Sequence, residues 1–88
     1  MLFETLKIKD VKTNTGELVK VMRKQQNLSQ DQLAELLGLS RLTIQNLESG
    51  KNITIDTLLK VFQYFDCLEK FDQFIKQEIE NNNYKSLY

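Results

Sequence analysis

Residues 28–51, LSQDQLAELLGLSRLTIQNLESGK, contain two short amphipathic patterns, each followed by a glycine. Ser29 can cap a first helix, and Gly38 follows its last apolar position, where a left-handed C-terminal cap requires a residue without a Cβ. Ser40 can cap a second helix, which Gly50 ends in the same way. The segment therefore predicts two helices joined by a tight turn. The residues expected on their inner faces are Leu33, Ala34, Leu37, Ile44 and Leu47.

Most of the remaining chain also favours helices. Proline is absent, the glycines fall only at Gly16, Gly38 and Gly50, and Leu, Glu, Gln and Lys are frequent. We therefore expect an all-α fold, a compact bundle of about five helices that forms a single domain over residues 1–88. The apolar and polar residues of segment 2–11 permit a short N-terminal strand as readily as irregular structure.

The outer helices are predicted from apolar spacing and capping residues. A threonine or asparagine of KTNTG can cap a first helix that runs through ELVKVMRKQQ and ends near Asn27. Thr54 can cap a fourth helix, and after a break in FDCLE a fifth helix covers residues 68 to about 80. The residues expected on the buried side of the fourth helix are Ile55, Leu58, Leu59, Phe62 and Phe65. The tail, residues 81–88, has no periodicity, so we expect it to be mobile.

The composition argues against an enzyme, a metal site and a membrane protein. The chain has no histidine, and Cys67, its single cysteine, can form neither an internal disulfide nor, alone, a zinc site. We find no nucleophile–base pair and no phosphate-binding loop, and we predict no catalytic residue and no cofactor. No apolar stretch approaches the roughly 20 residues of a membrane helix, and no charged leader followed by an apolar run opens the chain. We therefore expect a soluble cytoplasmic protein.

Several residues of the central segment occur at the positions that mark phage-repressor-like helix-turn-helix proteins. They are Gln30, Ala34, Gly38, Ser40, Ile44, Leu47, Glu48 and Gly50. The chain resembles this family, the Cro and cI type also called Xre, over a helix-turn-helix core of about residues 17–65. Arg23 strengthens the resemblance, because the family often pairs an arginine there with the glutamate that corresponds to Glu48. The resemblance implies a lambda-repressor-like fold and a transcriptional regulator, expected to be a repressor, that binds double-stranded DNA sequence-specifically.

The resemblance also implies roles for residues around the third helix, which in the family lies in the major groove. The residues that it places on base edges are Ser40, Arg41, Leu42, Thr43, Gln45 and Asn46. The residues that it places on phosphates are Gln30, Ser49, Lys51 and Asn52. Arg41 can donate two hydrogen bonds to guanine, Asn46 or Gln45 can pair with adenine, and thymine offers a methyl group to Leu42. The alternative is that these side chains are merely solvated on an exposed helix face.

The net charge of zero does not by itself favour DNA binding, but the charges are unevenly distributed. Segment 7–24 carries six basic residues against two acidic ones, whereas segment 56–80 carries three basic residues against six acidic ones. A basic N-terminal part can lie along phosphates while an acidic C-terminal part faces away. Neutrality predicts modest non-specific affinity, and we therefore expect a homodimer on a near-palindromic operator.

The fifth helix supplies a candidate dimer or partner surface. Its apolar stripe consists of Leu68, Phe71, Phe74, Ile75 and Ile79. The alternative is that this stripe packs against the first helix. The segment ITIDTLLKVFQYFDCLEKFDQFI also resembles the distal part of Xre-type regulators that accompany toxins. A second hypothesis is therefore an antitoxin, or protein-interaction module, that binds a toxin through its C-terminal helix and autoregulates its operon.

Overall fold

The computed structural model describes residues 5–86, with side chains up to residue 83, and this part of the chain contains five helices. The helices are α1 (Ile8–Gln25), α2 (Gln30–Leu37), α3 (Arg41–Glu48), α4 (Ile55–Tyr64) and α5 (Leu68–Ser86). The all-α prediction is confirmed. Of the helices in the described part, none is both long and apolar enough to span a membrane.

The start of α1 differs from the prediction. The helix begins at Ile8 instead of after Gly16, and residues 5–11 contain no strand; residues 2–4 of the predicted strand lie outside the described part. The hydroxyls of Thr13 and Thr15 donate to the carbonyl oxygens of the residues four positions earlier, at 2.9 and 2.7 Å, so they do not cap a new helix. Gly16 is buried within α1, where it contacts the end of α3.

Capping residues determine where α2 and α3 begin and end, as predicted. Ser29 accepts a hydrogen bond from the Gln32 amide at 3.0 Å, and Ser40 accepts one from the Thr43 amide at 3.1 Å. Gly38 ends α2 in a left-handed conformation with φ 67°, and Gly50 follows α3 with φ 77°. The helix-turn-helix corner is therefore formed by residues within the segment itself.

The core lies where α1, α2, α3 and α4 meet. Its fully buried side chains are Val19, Leu33, Ile44 and Val61. The predicted inner residues Ala34 and Leu47 are also buried, whereas Leu37 is partly buried at the edge of the core. Close packing of these side chains fixes the angle at which α3 crosses its neighbours.

The buried face of α4 is rotated from the predicted one. Phe62 and Phe65 are buried as expected, but Ile55 is 65% exposed, and Val61, which was not predicted, is completely buried. Ile55 is the first residue of α4, at the end of the helix away from the buried Val61 and Phe62. Leu58 and Leu59 are half-buried.

Helix α5 packs mainly on α4, not on α1 as the alternative proposed. The rings of Phe62 and Phe71 meet edge to face with centroids 5.8 Å apart. Beyond this contact the stripe is open, because Phe74, Ile75 and Ile79 are exposed. The helix continues to residue 86, so its predicted end near residue 80 is too early. The mobility of residues 81–88 stays a prediction.

Candidate nucleic-acid interface

A buried ion pair joins α1 to α3. Arg23 donates from Nε to Glu48 Oε2 at 2.6 Å and from Nη2 to Glu48 Oε1 at 2.9 Å. The two side chains are 9% and 5% exposed, so the pair is shielded from water. Arg23 also donates from Nη1 to the carbonyl oxygen of Leu28 at 2.7 Å. This bidentate geometry fixes the angle between the helices as well as their distance. The pairing itself is the one that the family resemblance implied.

The same carboxylate binds the start of α2. Gln30 Nε2 donates to Glu48 Oε1 at 3.0 Å. Burial alone would raise the pKa of Glu48, but hydrogen bonds from Arg23 and Gln30 and the charges of Arg23 and Lys20 outweigh it, so the pKa lies below its ordinary value. The hydrogen bond with Glu48 likewise raises the pKa of Arg23, despite its burial. Both groups are therefore charged around neutral pH.

The outer face of α3 is open along its length. Among the predicted base-reading residues, Ser40, Arg41, Leu42 and Gln45 are exposed, and Thr43 and Asn46 are half-buried. Leu42 is 63% exposed, so its side chain is not part of the core. The structure brings these residues together on one helix of two turns that is anchored from beneath by Ile44 and Leu47.

The hydroxyls of two predicted contact residues, Ser40 and Ser49, form hydrogen bonds with the backbone of α3. The Ser40 hydroxyl caps α3 and lies 2.8 Å from the Thr43 hydroxyl. The Ser49 hydroxyl donates to the carbonyl oxygens of Gln45 and Asn46, at 2.9 and 3.2 Å. The Ser49 hydroxyl has a single proton, so it cannot donate to DNA without giving up these bonds. The Ser40 hydroxyl accepts the capping bond through a lone pair, so that bond does not use its proton.

Arg41 lies beside an acidic residue of α2. Its Nε is 3.7 Å from Asp31 Oδ1, and both side chains are more than half exposed. An exposed pair of this kind contributes about 0 to 1 kcal/mol, so it orients the guanidinium without holding it firmly. Sequence reasoning did not identify Asp31 as the partner of Arg41.

The loop after α3 is braced by the N-terminal part of α1, which sequence reasoning also missed. The Lys12 ammonium donates a hydrogen bond to Asn52 Oδ1. Gly16 approaches the end of α3 so closely that a Cβ there would lie 2.5 Å from the carbonyl oxygens of Leu47 and Glu48. No local pattern of the sequence indicates these contacts, because they join α1 to residues more than 25 positions later in the chain.

This arrangement is a helix-turn-helix unit: two short helices at a glycine corner, with the second one exposed outward and fixed from behind. The helix-turn-helix family HTH_3 matches residues 19–69, which is more than half of the chain. The chain therefore belongs to the helix-turn-helix family, and the phage-repressor-like resemblance is confirmed.

Similar proteins carry regulatory names. The chain is 42% identical over 62 residues to an uncharacterized HTH-type transcriptional regulator of Sinorhizobium fredii, with 67% of this chain and 82% of that protein covered. It is 43% identical over 51 residues to the control protein C.SmaI of Serratia marcescens, with 57% and 61% covered. It is 43% identical over 52 residues to a putative HTH-type transcriptional regulatory protein of Methanocella arvoryzae, with 59% of this chain covered but only 16% of that protein.

Proposed function

We propose that the chain is a sequence-specific, double-stranded-DNA-binding regulator of transcription, acting as a cytoplasmic repressor, that reads the major groove with α3. The observation that carries the proposal is the exposed polar face of α3 combined with the buried anchor formed by Arg23, Gln30 and Glu48. A groove-reading helix must be rigid, because each base contact depends on hydrogen-bond geometry.

Base reading is assigned to the exposed side chains near the start of α3. Arg41 presents a guanidinium that can donate to guanine O6 and N7, and its exposed ion pair with Asp31 is weak enough to be exchanged for a base. Leu42 offers an apolar contact for a thymine methyl, and Gln45 or Asn46 can pair with adenine. Ser40 and Thr43 border these contacts, with the Ser40 hydroxyl primarily capping the helix.

Phosphate binding is assigned to groups on either side of α3. Gln30 gives one proton of its amide to Glu48 and retains a second for a phosphate oxygen. Asn52 accepts from Lys12 through its Oδ1, so its NH₂ group remains for a phosphate. Lys51 is exposed beside it and adds a positive charge, and Ser49 lies at the same end of the helix.

A homodimer completes the proposal. Two copies place two reading helices about one DNA turn apart, roughly 34 Å, on a near-palindromic operator. The part of the α5 stripe available to a second copy consists of Phe74, Ile75 and Ile79, because Leu68 and Phe71 are half-buried. The antitoxin hypothesis stays a prediction, since the three relatives named above carry regulatory names and no toxin-related one.

The test is selection of bound sequences from a random duplex pool, followed by titration of the winning sequence at several salt concentrations. We expect enrichment of a near-palindrome and a linear fall of log affinity with log salt. The matched control is a duplex of the same length and composition with the half-sites scrambled. Failure to enrich any sequence, together with a flat salt response, contradicts the proposal.

A further inference from the structure

The first part of α1 lies against the loop that follows α3. Gly50, in that loop, approaches α1 so closely that a Cβ added to it would lie 3.2 Å from the backbone of Thr13. One position earlier in α1, the Lys12 ammonium donates a hydrogen bond to Asn52 Oδ1. Two adjacent residues of α1 are therefore held beside the loop that is assigned to phosphate binding.

The Lys12 side chain is ordered by its surroundings. It is half-buried and lines a groove between α1 and α4 together with Leu47, Ile53 and Leu58. A lysine in such a setting lays its aliphatic chain along apolar side chains and keeps its ammonium at the surface. Because the chain is already ordered, a contact of the ammonium with a ligand would cost less conformational entropy than a contact of a free surface lysine.

The charge of Lys12 is not compensated by a carboxylate. The charged residues that line the groove are Lys12 and Lys51, both basic. Among the residues whose side chains the structure describes, Lys12 takes part in no ion pair. Its partner Asn52 is neutral, and the bond between them uses one of the three protons of the ammonium. Two protons and a full positive charge therefore remain for an anion.

A phosphate bound by Asn52 would lie close to this charge. The NH₂ group of Asn52 remains for a phosphate, and the oxygen and nitrogen of one amide are about 2.3 Å apart. With a hydrogen bond of about 2.9 Å on either side, the ammonium lies within about 8 Å of a phosphate oxygen on the NH₂ group. This distance does not exceed the Debye length at physiological ionic strength, so salt screens the attraction only in part.

We propose that Lys12 is a phosphate-binding residue of the DNA interface and that its ammonium binds the same backbone phosphate as Asn52. A phosphate has two non-bridging oxygens, so Asn52 can donate to one and Lys12 to the other. The inference rests on the proposed function and adds a residue of α1 to its phosphate contacts. Lys12 precedes the family match at residues 19–69, so the contact is separate from those that the resemblance implied.

The first test measures how the affinity of Lys12→Met depends on salt. Methionine keeps an unbranched side chain but removes the charge and the donor. The slope of log affinity against log salt should fall by about 0.9 for each bound copy of the chain. All duplexes should weaken by the same factor, roughly five- to tenfold per copy at about 0.1 M salt. Lys70→Met, at an exposed lysine of α5, is the matched control, because it lowers the net charge equally and should leave the slope unchanged.

The salt slope separates a direct contact from a bracing role. If Lys12 only held the loop, its loss would act through Asn52, which is neutral and releases no counterion, and the slope would not change. Lys12→Arg keeps the charge and should keep the slope, whereas Lys12→Gln keeps a donor but should lose it. The double variant Lys12→Met/Lys51→Met should lose the sum of the two single effects. An unchanged slope for Lys12→Met, or a double variant with the slope of Lys51→Met alone, overturns the inference.

The second test changes the DNA instead of the protein. A methylphosphonate replaces one non-bridging oxygen of a chosen phosphate by a methyl group and so removes its charge. Placed in turn along a half-site, it should weaken the wild type at the phosphate that Lys12 binds. Lys12→Met should lose little more at that position, whereas Lys70→Met should lose as much as the wild type. Losses for Lys12→Met that equal those of the wild type at every position overturn the inference.

The two proposals fail in different ways, because the salt slope can be measured on any duplex. Enrichment of an operator, together with an unchanged slope for Lys12→Met, overturns the phosphate contact and leaves the regulator. A lowered slope for Lys12→Met, without any enriched operator for the wild type, overturns the sequence-specific regulator and leaves the phosphate contact.

Discussion

At the scale of single residues, Glu48 connects three parts of the molecule through one carboxylate. It accepts hydrogen bonds from Arg23 of α1 and Gln30 of α2 while it belongs to α3. Its charge is compensated by the guanidinium, which is equally buried. Loss of this one group leaves a buried cation without an anionic partner and removes the hydrogen bond between the start of α2 and α3.

Glu48→Ala should therefore destabilise the fold by about 3–5 kcal/mol, the usual cost of removing one partner of a buried ion pair. Urea unfolding followed by circular dichroism measures the change. Glu35→Ala, at an exposed glutamate of α2, is the control and should change the free energy of unfolding by about 0.5 kcal/mol or less. A Glu48→Ala effect as small as that of the control would mean that the pair contributes little.

The lowered pKa of Glu48 predicts the direction of the pH dependence. Because the folded state favours the carboxylate, the stability that Glu48 contributes is fully present above the unfolded pKa, ordinarily 4.5, and is lost as the pH falls through the lower folded pKa. The free energy of unfolding of the wild type should therefore fall more steeply on acidification below that value than that of Glu48→Gln. Chemical denaturation across a pH series tests this, and parallel curves for the two proteins would contradict it.

Arg41 and Lys51 should differ in the kind of binding that they support. Arg41→Ala should cost about 1–3 kcal/mol on the selected operator and relax the preference at one position of each half-site. Lys51→Ala should weaken all duplexes similarly and reduce the salt slope by about 1. Titrations against the operator and its single-base variants separate the two effects. Equal loss on every sequence from Arg41→Ala would remove it from the base-reading set.

At the scale of the elements, α1 acts as a brace for α3 and for the loop that follows it. Gly16 allows the backbones of the two helices to approach closely, and Lys12 bonds to Asn52 in the loop. The brace begins before the part of the chain that the family match covers, at residue 19. The first part of α1 therefore supports residues assigned to phosphate contact although it precedes the residues that the family match covers.

Gly16→Ala tests this close approach. In an open helix, alanine would stabilise by about 1 kcal/mol relative to glycine. Here the new Cβ would lie 2.5 Å from two backbone oxygens, so we expect a loss of about 1–3 kcal/mol, measured by thermal or urea unfolding. Asn14→Ala, on the exposed side of α1, is the control and should be neutral or stabilising. Stabilisation by Gly16→Ala would contradict the described contact.

The elements also show what the sequence could predict and why. The bounds of α2 and α3 follow from Ser29, Ser40 and Gly38, which act on their own helices, so local reasoning found them. The start of α1 was missed because the role of Gly16 depends on a helix far along the chain. Likewise, the exposure of Ile55 follows from where α4 meets the other helices, and apolar spacing alone does not specify this.

In the candidate site, too, some contacts could be predicted from the sequence and others could not. The family resemblance implied the ion pair of Arg23 with Glu48, and the structure contains this ion pair. The contacts of Arg41 with Asp31 and of Lys12 with Asn52 join residues of different helices and loops, and no local pattern indicates them. The roles in base reading and phosphate binding stay predictions.

At the scale of the whole molecule, the zero net charge conceals a polarity that the fold preserves. Lys12 of α1 lies beside the loop after α3, whereas α5, whose carboxylates include Glu69 and Asp72, packs on α4. Affinity for DNA depends on the local field at the reading helix and not on the net charge. Because neutrality limits non-specific affinity, a second copy should contribute much of the binding free energy.

A dimer on a palindrome predicts a strict dependence on spacing. Insertion of about five base pairs between the two half-sites rotates one of them by half a turn and should lower the affinity to that of a single half-site. Insertion of about ten base pairs preserves the rotational phase and serves as a control for added length. Electrophoretic mobility shifts with the three duplexes measure the effect. Equal affinity for the original and the half-turn operator would indicate that each monomer binds independently.

The close approach at Gly16 has a consequence for genetics. A screen that scores loss of regulation would recover substitutions at this position alongside those on the reading helix, although Gly16 lies within α1 and has no side chain to offer DNA. Raising the expression level would separate the two classes of variant. A destabilised variant regains function when more folded protein is present, whereas a variant that has lost a base contact has altered sequence specificity at every expression level.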